Sequence, residues 1–162
     1  MAEREILKKP HPILSKRAKS VSKVDSETKK LIDDMIDTMR SVNGLGLAAN
    51  QVGVLQKIFV YDDGNGLGVM INPEIISFSG EQIDVEGCLS VPGKQGDVKR
   101  ANEIVVKGMN AKGKPIKIKA EGLLARIFQH EIDHLQGKLF IDRVEPGSLY
   151  DLEEMEPDDS DL

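Results

Sequence analysis

The feature that most limits how this chain can fold is a predicted helix over residues 121–136 with two histidines on its apolar side. His130 and His134 lie four residues apart in the order His-Glu-x-x-His, so their rings stand one turn apart on the same face. Glu131 is rotated by about 100° from His130 and still lies on the side that Ile127 marks as apolar. Because buried polar groups need a partner, this face predicts a metal ion between the histidines, with Glu131 beside it as a general acid or base.

The opposite side of this helix is polar and is predicted to face water. It carries Arg126, Gln129, Asp133 and Gln136, and Gly137 is expected to end the helix. The histidines are therefore expected to be buried, and the charged residues of the opposite side to be exposed.

A second, amphipathic helix is predicted nearer the N-terminus. Asp25 or Ser26 is its expected N-cap, and Gly44 is its expected end. Its apolar face is predicted to pack on the core, and its acidic side to face water. The apolar face consists of Leu31, Ile32, Met35, Ile36, Met39 and Val42, and the acidic side includes Asp33, Asp34 and Asp37.

Short β-rich runs fill the sequence between the two helices. Because neither an internal repeat nor a linker interrupts the 162 residues, one domain is expected. The predicted fold is α+β, with mostly antiparallel strands packed around the central metal-binding helix and the amphipathic helix near the N-terminus. The predicted strands cover residues 57–61, 69–72, 74–78, 104–107 and 116–120.

Charge and composition restrict the partners and the compartment. The formal net charge is −5, but seven carboxylate residues and no lysine or arginine lie between Asp151 and Leu162. We therefore expect a catalytic domain over residues 1–147, an acidic, flexible tail over residues 148–162, and no DNA-binding surface. No apolar run reaches the roughly 18 residues that span a membrane, and no signal peptide is recognisable. Together with a single cysteine, these features predict a cytoplasmic protein.

A catalytic metal site usually has a third protein ligand, and the sequence offers several. Glu153 or Glu154 would suit a small zinc endopeptidase, in which a glutamate follows the histidine motif at a distance. His11 lies far upstream in a proline-flanked turn. Cys88 is the strongest ligand as a thiolate, although a lone cysteine is more often a small buried hydrophobic residue. On the local pattern alone these alternatives stay open.

Three motifs that follow one another along the chain narrow these alternatives. They are Gly44-Leu45-Gly46-Leu47-Ala48-Ala49-Asn50-Gln51, Glu86-Gly87-Cys88-Leu89-Ser90 and Gln129-His130-Glu131-Ile132-Asp133-His134. Together they resemble the peptide deformylase family in its compact bacterial type, with similarity over most of residues 1–145. The resemblance implies a metal-dependent hydrolase that removes the formyl group from the N-terminal N-formylmethionine of new polypeptides and releases formate.

The resemblance also implies the metal and its ligands. Cys88 would be the third ligand beside His130 and His134, with Fe(II) as the metal in the cell. Zn, Ni or Co would be able to occupy the site in purified protein. Donor chemistry alone favours zinc, so iron is implied only by the family.

Roles in the reaction follow from the same resemblance. Glu131 would take a proton from the attacking water and deliver it to the leaving amine. The Gln51 side chain and the Leu89 backbone N–H would stabilise the charge that develops on the formyl oxygen.

The peptide substrate is expected to bind as an added strand. Leu45 and Gly46 on one side and Gly87 on the other would pair with its backbone, and Gly44 and Glu86 are expected beside it. The methionine side chain would enter a pocket lined by Leu45, Leu123, Ile127 and His130.

Two further positions concern the surroundings of the site. The resemblance predicts an ion pair between Glu86 and Arg100. At Gln95 some relatives have an arginine that helps to hold the peptide, and Lys94 is a candidate substitute here.

The implied substrates are N-formylmethionyl peptides on nascent chains. The protein is therefore expected to contact the ribosome transiently. It is expected to be a monomer, and neither DNA nor a membrane is an expected partner. Two alternatives are kept beside this interpretation. One is a small zinc endopeptidase that uses Glu154, and the other is a metal-binding or peptide-binding protein without turnover.

Overall fold

Two helices and eight strands make up the part of the chain that the computed structural model describes, residues 2–152. The helices are α1 (Ser26–Ser41) and α2 (Gly122–Leu135), and neither has the length and apolar content of a membrane-crossing segment. Three short 3-10 helices cover Pro12–Ser15, Ala49–Val52 and Phe140–Asp142. The strands are β1 (Gly46–Ala48), β2 (Ile58–Asp62), β3 (Leu67–Ser79), β4 (Gln82–Cys88), β5 (Val91–Arg100), β6 (Glu103–Met109), β7 (Pro115–Glu121) and β8 (Tyr150–Asp151).

The strands form two sheets, and all their pairings are antiparallel. The larger sheet has the order β1-β2-β3-β6-β7, and the smaller has the order β4-β5-β8. Among the described residues, β1 and β4 are therefore edge strands, each with one side free for a further strand. This arrangement confirms the predicted single α+β domain with mostly antiparallel strands.

Helix α2 packs on the larger sheet through an aromatic cluster. The ring of Phe128 meets Phe59 edge-on at 5.3 Å between centroids and Tyr61 at 4.7 Å. A second part of the core lies under α1, where Met35 and Met39 are fully buried. The two helices thus fix the positions of β1, which lies within the first motif, and of β2, which follows it.

Helix α1 begins where predicted and ends earlier. Asp25 is its N-cap, since its carboxylate accepts a hydrogen bond from Thr28 N at 3.0 Å. The last helical residue is Ser41, three residues before Gly44. Asn43 adopts the left-handed conformation (φ 55°) that was expected of a glycine.

The prediction that Asp34 faces water was wrong. Its carboxylate is buried and accepts hydrogen bonds from Arg4 Nε and from Ala2 N, both at 3.0 Å. Arg4 N also donates to Thr38 Oγ1 at 2.8 Å. The N-terminal segment therefore covers this side of α1, which the periodicity of the helix alone could not show.

The predicted strands all occur, but four further strands, β1, β4, β5 and β8, were not predicted as such. Strand β3 joins two predicted runs through Pro73, where its pairing with β6 shifts register between Ile71 and Glu74. Strands β4 and β5 lack a simple alternation of apolar and polar residues, because some of their buried positions hold charged side chains such as Glu86 and Arg100.

The C-terminal residues remain packed past residue 147. Tyr150 and Asp151 pair with Gln95 and Lys94 of β5, and the Tyr150 hydroxyl donates to Gln95 Oε1 at 2.9 Å. Gln95 is thus held in the interior, while Lys94 pairs with Asp151 at 2.6 Å. Residues 153–162, the rest of the predicted tail, lie outside the described residues.

Candidate active site

Three metal-binding atoms meet where the end of β4 faces α2. Cys88 Sγ lies 3.3 Å from His134 Nε2, and the Nε2 atoms of His130 and His134 are also 3.3 Å apart. The three ligand atoms all lie within 4.8 Å of one another, and all three side chains are buried. The structure therefore brings together the three residues that were expected as ligands.

The spacing of these atoms fits a tetrahedral metal site. Bonds of about 2.3 Å to sulfur and about 2.0–2.1 Å to nitrogen place tetrahedral ligand atoms roughly 3.3–3.6 Å apart. The observed separations of 3.3 Å agree with that range. The donor set can therefore hold a divalent metal ion.

The two histidines differ in their affinity for a proton. Burial, together with the charge of His130, lowers the pKa of His134 well below its usual value, so this ring is neutral, as a ligand must be. Burial would also lower the pKa of His130, but its bonds to Cys88 and Glu86 outweigh that effect and raise it to about 10. Metal binding is therefore expected to release a proton from this cluster.

Glu131 follows the first histidine and is fully buried. Within residues 2–152, neither of its carboxylate oxygens has a hydrogen-bond partner. Burial is the main cause that raises its pKa to about 7. A carboxyl group that titrates near neutrality can accept a proton and return it at physiological pH.

Gly46 leaves the space that the Glu131 carboxylate fills. A Cβ atom at position 46 would lie 2.6 Å from Glu131 Oε2 and 3.0 Å from its carboxyl carbon. Such contacts are too short for a side chain, so β1 can approach the carboxylate only with a glycine here.

A second buried carboxylate, Glu86, lies behind His130. Oε1 accepts from His130 Nδ1 at 2.9 Å and Arg100 Nη2 at 2.8 Å, and Oε2 accepts from Arg100 Nε at 2.9 Å and from Arg126 Nη1. Burial acts to raise the pKa of Glu86, yet the bonds from Arg100 and His130 hold it well below its usual range. Because Nδ1 of His130 is engaged here, its Nε2 is the nitrogen left for a metal.

This position differs from the one expected for Glu86. Its carboxylate supports a ligand histidine and is fully buried, whereas the sequence placed it among residues beside the peptide. The predicted ion pair between Glu86 and Arg100 is confirmed at 2.8 Å.

Asp133 and Arg126 extend this charged network and correct a further prediction. Only 6% of Asp133 and 2% of Arg126 is exposed, although both were expected to face water. Asp133 accepts from Arg100 Nη1 and from Arg143 Nε, both at 2.6 Å, and Arg126 Nε donates to Gln82 Oε1 at 3.2 Å. Strands β4 and β5 cover this side of α2, so its charged residues meet charged partners and not solvent.

Gln51 places an amide group at the edge of the metal-binding cluster. Its Oε1 accepts from Ala48 N at 3.0 Å. Its Nε2 lies 3.1 Å from Ser90 Oγ and 3.8 Å from Cys88 Sγ. Leu89 follows Cys88 in the turn between β4 and β5. No role was assigned to Ser90 from the sequence, although its place at the end of the second motif, two residues after a ligand, was an available signal.

The glycines expected beside the peptide lie on or next to the two edge strands. Gly46 begins β1, and Gly87 is the last but one residue of β4. Gly44 lies close to Leu89, since a Cβ atom there would be 3.1 Å from Leu89 Cδ1. Leu45 directly precedes β1, and its backbone oxygen accepts from Asp62 N at 2.9 Å.

The two apolar residues of α2 expected in the methionine pocket differ in their surroundings. Ile127 is fully buried one turn before His130. Leu123 is 47% exposed in the first turn of α2, about 10 Å from His130 along the helix axis. Leu123 therefore stands apart from the metal-binding cluster.

Comparison with known proteins agrees with these features. The family model of polypeptide deformylase matches residues 3–149. A peptide deformylase of Carboxydothermus hydrogenoformans is 52% identical over 145 residues, which cover 90% of this chain and 95% of the relative. The crystal structure of peptide deformylase from Thermotoga maritima has a TM-score of 0.88 and 45% identity, covering 90% of this chain and all of that one. The crystal structure of a peptide deformylase from Legionella pneumophila has a TM-score of 0.86 and 48% identity, and the match covers 90% of this chain and 88% of that one.

The family match spans almost all of the described residues, and the relatives are similar along nearly their whole length. The three motifs that carry the cluster of Cys88, His130 and His134 lie within the matched range. This chain belongs to the polypeptide deformylase family.

Proposed function

We propose that this chain is a metal-dependent deformylase that removes the formyl group from the N-terminal N-formylmethionine of new polypeptides and releases formate. The observation that carries the proposal is the buried donor set of Cys88, His130 and His134 beside the carboxylate of Glu131, which has no hydrogen-bond partner among the described residues. A buried carboxylate without partners weakens a core, and is retained where it takes part in chemistry. Membership in the family identifies that chemistry as deformylation.

Cys88, His130 and His134 would hold the metal, and we infer Fe(II) as the ion used in the cell. The donor atoms suit zinc equally well, so iron rests on the family alone, and Zn, Ni or Co are expected to replace it in purified protein. When bound, the ion supplies a Lewis acid that polarises the formyl carbonyl and makes water a better nucleophile at neutral pH.

Glu131 would act as general base and then as general acid. It takes a proton from the attacking water as the oxygen adds to the formyl carbon. It then gives that proton to the amine nitrogen as the C–N bond breaks, which leaves formate and a free N-terminal methionine. Its pKa of about 7 supports both transfers, because the group is then neither too weak a base nor too weak an acid.

Gln51 and Leu89 would stabilise the negative charge on the formyl oxygen. The Gln51 amide nitrogen lies 3.8 Å from Cys88 Sγ, and Leu89 is the residue next to that ligand. Donors held in place before the reaction lower the barrier because they need no reorientation.

The peptide would bind as a strand between the edges of the two sheets. Strand β1 offers Gly46, with Leu45 just before it, and β4 offers Gly87. The methionine side chain would lie against Leu45, Ile127 and His130, with Leu123 at the exposed rim. Glu86 is not proposed as a peptide contact, since both of its oxygens are bonded to other side chains.

We further infer that the protein acts as a monomer in the cytoplasm on nascent chains, and so contacts the ribosome transiently. The substrate supports the contact with nascent chains, because an N-formylmethionine is present only at the start of a new chain.

Formate release from N-formyl-Met-Ala-Ser tests the function. Protein prepared anaerobically and loaded with iron is expected to release formate, and Glu131→Ala is expected to lose about 10²–10⁴-fold in rate. Glu74→Ala is a matched control, because Glu74 is an exposed glutamate on β3. Wild-type protein that binds metal but releases no formate would favour a binding protein without turnover.

A shortened chain tests the endopeptidase alternative. Glu153 and Glu154, the third ligands in that alternative, lie outside the described residues. A chain that ends at Leu152 lacks both glutamates and is expected to keep its metal and its deformylase activity. Loss of the metal from that chain would contradict Cys88 as the third ligand.

A further inference from the structure

Ser90 contacts both a metal ligand and the amide proposed to stabilise the formyl oxygen. It is fully buried in the turn between β4 and β5. Its backbone N–H donates to Cys88 Sγ at 3.4 Å, and its hydroxyl oxygen accepts from Gln51 Nε2 at 3.1 Å. A buried hydroxyl at this point can control how the Gln51 amide is turned.

The orientation of that amide follows from its contact with Ala48. A backbone N–H can only donate, so the group 3.0 Å from Ala48 N must be the amide oxygen of Gln51. The amide nitrogen then faces Ser90, and one of its two hydrogens is taken by the hydroxyl. The second hydrogen is donated to Cys88 Sγ over 3.8 Å, so it is aimed at the metal-binding cluster.

We propose that Ser90 is a positioning residue that directs the second N–H of Gln51 toward the formyl oxygen. The terminal torsion of a glutamine side chain is broad, so one contact does not fix the plane of its amide. Ala48 N bonds the amide oxygen and Ser90 Oγ bonds the amide nitrogen, and these two contacts together fix the plane of the Gln51 amide. The proposal rests on the function proposed above, in which Gln51 stabilises the charge on that oxygen.

The N-terminal segment is hydrogen-bonded to both residues. Leu7 N donates to the backbone oxygen of Gln51 at 2.7 Å, and Lys9 N donates to that of Ser90 at 2.8 Å. The 3-10 helix with Gln51 and the turn with Ser90 are therefore tied to one short stretch of chain. This tie keeps the hydroxyl within reach of the amide before any substrate binds.

Replacing Ser90 by alanine removes the hydroxyl and keeps the backbone N–H. We expect kcat for N-formyl-Met-Ala-Ser to fall about ten- to a hundredfold, because a misdirected donor stabilises the charge poorly, while KM changes little. Metal content and Tm should stay close to those of the wild type. Ser148→Ala is the matched control, because Ser148 Oγ makes similar bonds away from the site, to Asp97 N and Glu145 O.

A double-mutant cycle separates positioning from a structural role. In a Gln51→Ala background, Ser90→Ala should have no further effect on kcat, because there is no amide left to direct. Ser90→Thr, which keeps the hydroxyl, gives a second test if the alanine variant folds poorly, because it should restore most of kcat when the hydroxyl is what positions the amide.

A spectroscopic measurement gives a readout besides activity. In zinc-loaded protein, the NMR signals of the Gln51 side-chain NH2 group, identified by their loss in Gln51→Ala, should shift in Ser90→Ala and stay unchanged in Ser148→Ala. Wild-type kcat in Ser90→Ala, equal fold losses in both backgrounds, or a fall in kcat matched by loss of metal would overturn the proposal. An inactive, metal-loaded wild type would instead refute the proposed function.

Discussion

Two buried carboxylates, Glu131 on helix α2 and Glu86 on strand β4, have surroundings that differ completely. Glu131, on the side of the metal-binding cluster, has no hydrogen-bond partner in residues 2–152, and its pKa is raised to about 7. Glu86, on the side of the smaller sheet, accepts bonds from Arg100, Arg126 and His130, and its pKa is held well below its usual range. One carboxylate is left free to exchange a proton, and the other stays ionised.

The difference distinguishes Glu131, which can transfer a proton, from Glu86, which holds the ligand His130 in place. A carboxylate saturated by guanidinium groups stabilises the fold only as long as all partners are present, since a lone buried charge is costly. An unpartnered carboxylate costs stability at neutral pH and is useful only for proton transfer. Glu86 and Glu131 should therefore respond to the same substitution in opposite ways.

Glu131→Gln is expected to have the largest effect on activity. The amide cannot accept a proton, so kcat should fall about 10²–10⁴-fold. The folded-state pKa of Glu131 is raised, so its ionisation opposes folding once the pH exceeds the unfolded-state value. At pH 7 and equal metal content, the free energy of unfolding in urea should therefore be equal to or higher than that of the wild type. A clear loss of stability would show that Glu131 is a structural residue.

Glu86→Gln is expected to lower stability most. Removing the charge leaves Arg100 and Arg126 without full compensation, and breaking such a buried pair costs about 3–5 kcal/mol of unfolding free energy. His130 also loses its charged acceptor, so metal affinity should fall about 10–100-fold.

The pH dependence of this variant gives an independent check. The folded-state pKa of Glu86 is lowered, so its stabilisation is present above the unfolded-state value and is lost as the pH falls through the folded-state value. The urea midpoints of wild type and variant should therefore converge in acid. Equal stability at pH 7 would contradict the supporting role of Glu86.

Arg126→Met is expected to have a moderate effect on stability and little on rate. It removes one charge-assisted hydrogen bond to Glu86 and should lower the free energy of unfolding by about 1.5–3 kcal/mol. The bonds from Arg100 and His130 to Glu86 remain. Arg17→Met is the control, since Arg17 is exposed. A change in kcat larger than that for Glu131→Gln would contradict the view that Glu131 reacts while Arg126 and Glu86 only support the site.

Asp34→Asn is expected to have the smallest effect. Bonds from Ala2 N and Arg4 lower the pKa of Asp34, so its contribution to stability is present above the unfolded-state value and is lost as the pH falls through the folded-state value. Tm should therefore drop at pH 7, and the drop should shrink below about pH 4. Asp33→Asn, which alters the exposed neighbour, should leave Tm unchanged at both pH values.

The sequence predicted the parts of the structure that depend on short-range pattern. Helical periodicity placed α2 and turned His130, Glu131 and His134 toward the core, and the N-cap of α1 is Asp25, one of the two residues expected there. Cys88 needed the neighbouring motif, because a lone cysteine is ambiguous on its own.

The errors arose where a polar residue meets a partner far along the chain. Asp34, Arg126 and Asp133 were expected in water, and each is buried against charged groups from a distant segment. Ser90 was overlooked for the same reason, since its partner Gln51 lies 39 residues earlier. Periodicity shows which side of an element is polar, but it does not show whether that side faces solvent or other charges.

The metal content of anaerobically prepared protein tests most directly whether Cys88, His130 and His134 form the metal site next to Glu131. Elemental analysis should find about one metal ion per chain in the wild type and in Glu131→Gln, and almost none in Cys88→Ala. Ser41→Ala serves as a control for the substitution itself, since Ser41 is exposed at the end of α1. Full metal content in Cys88→Ala, or its loss in Glu131→Gln, would contradict the assignment of ligands and base.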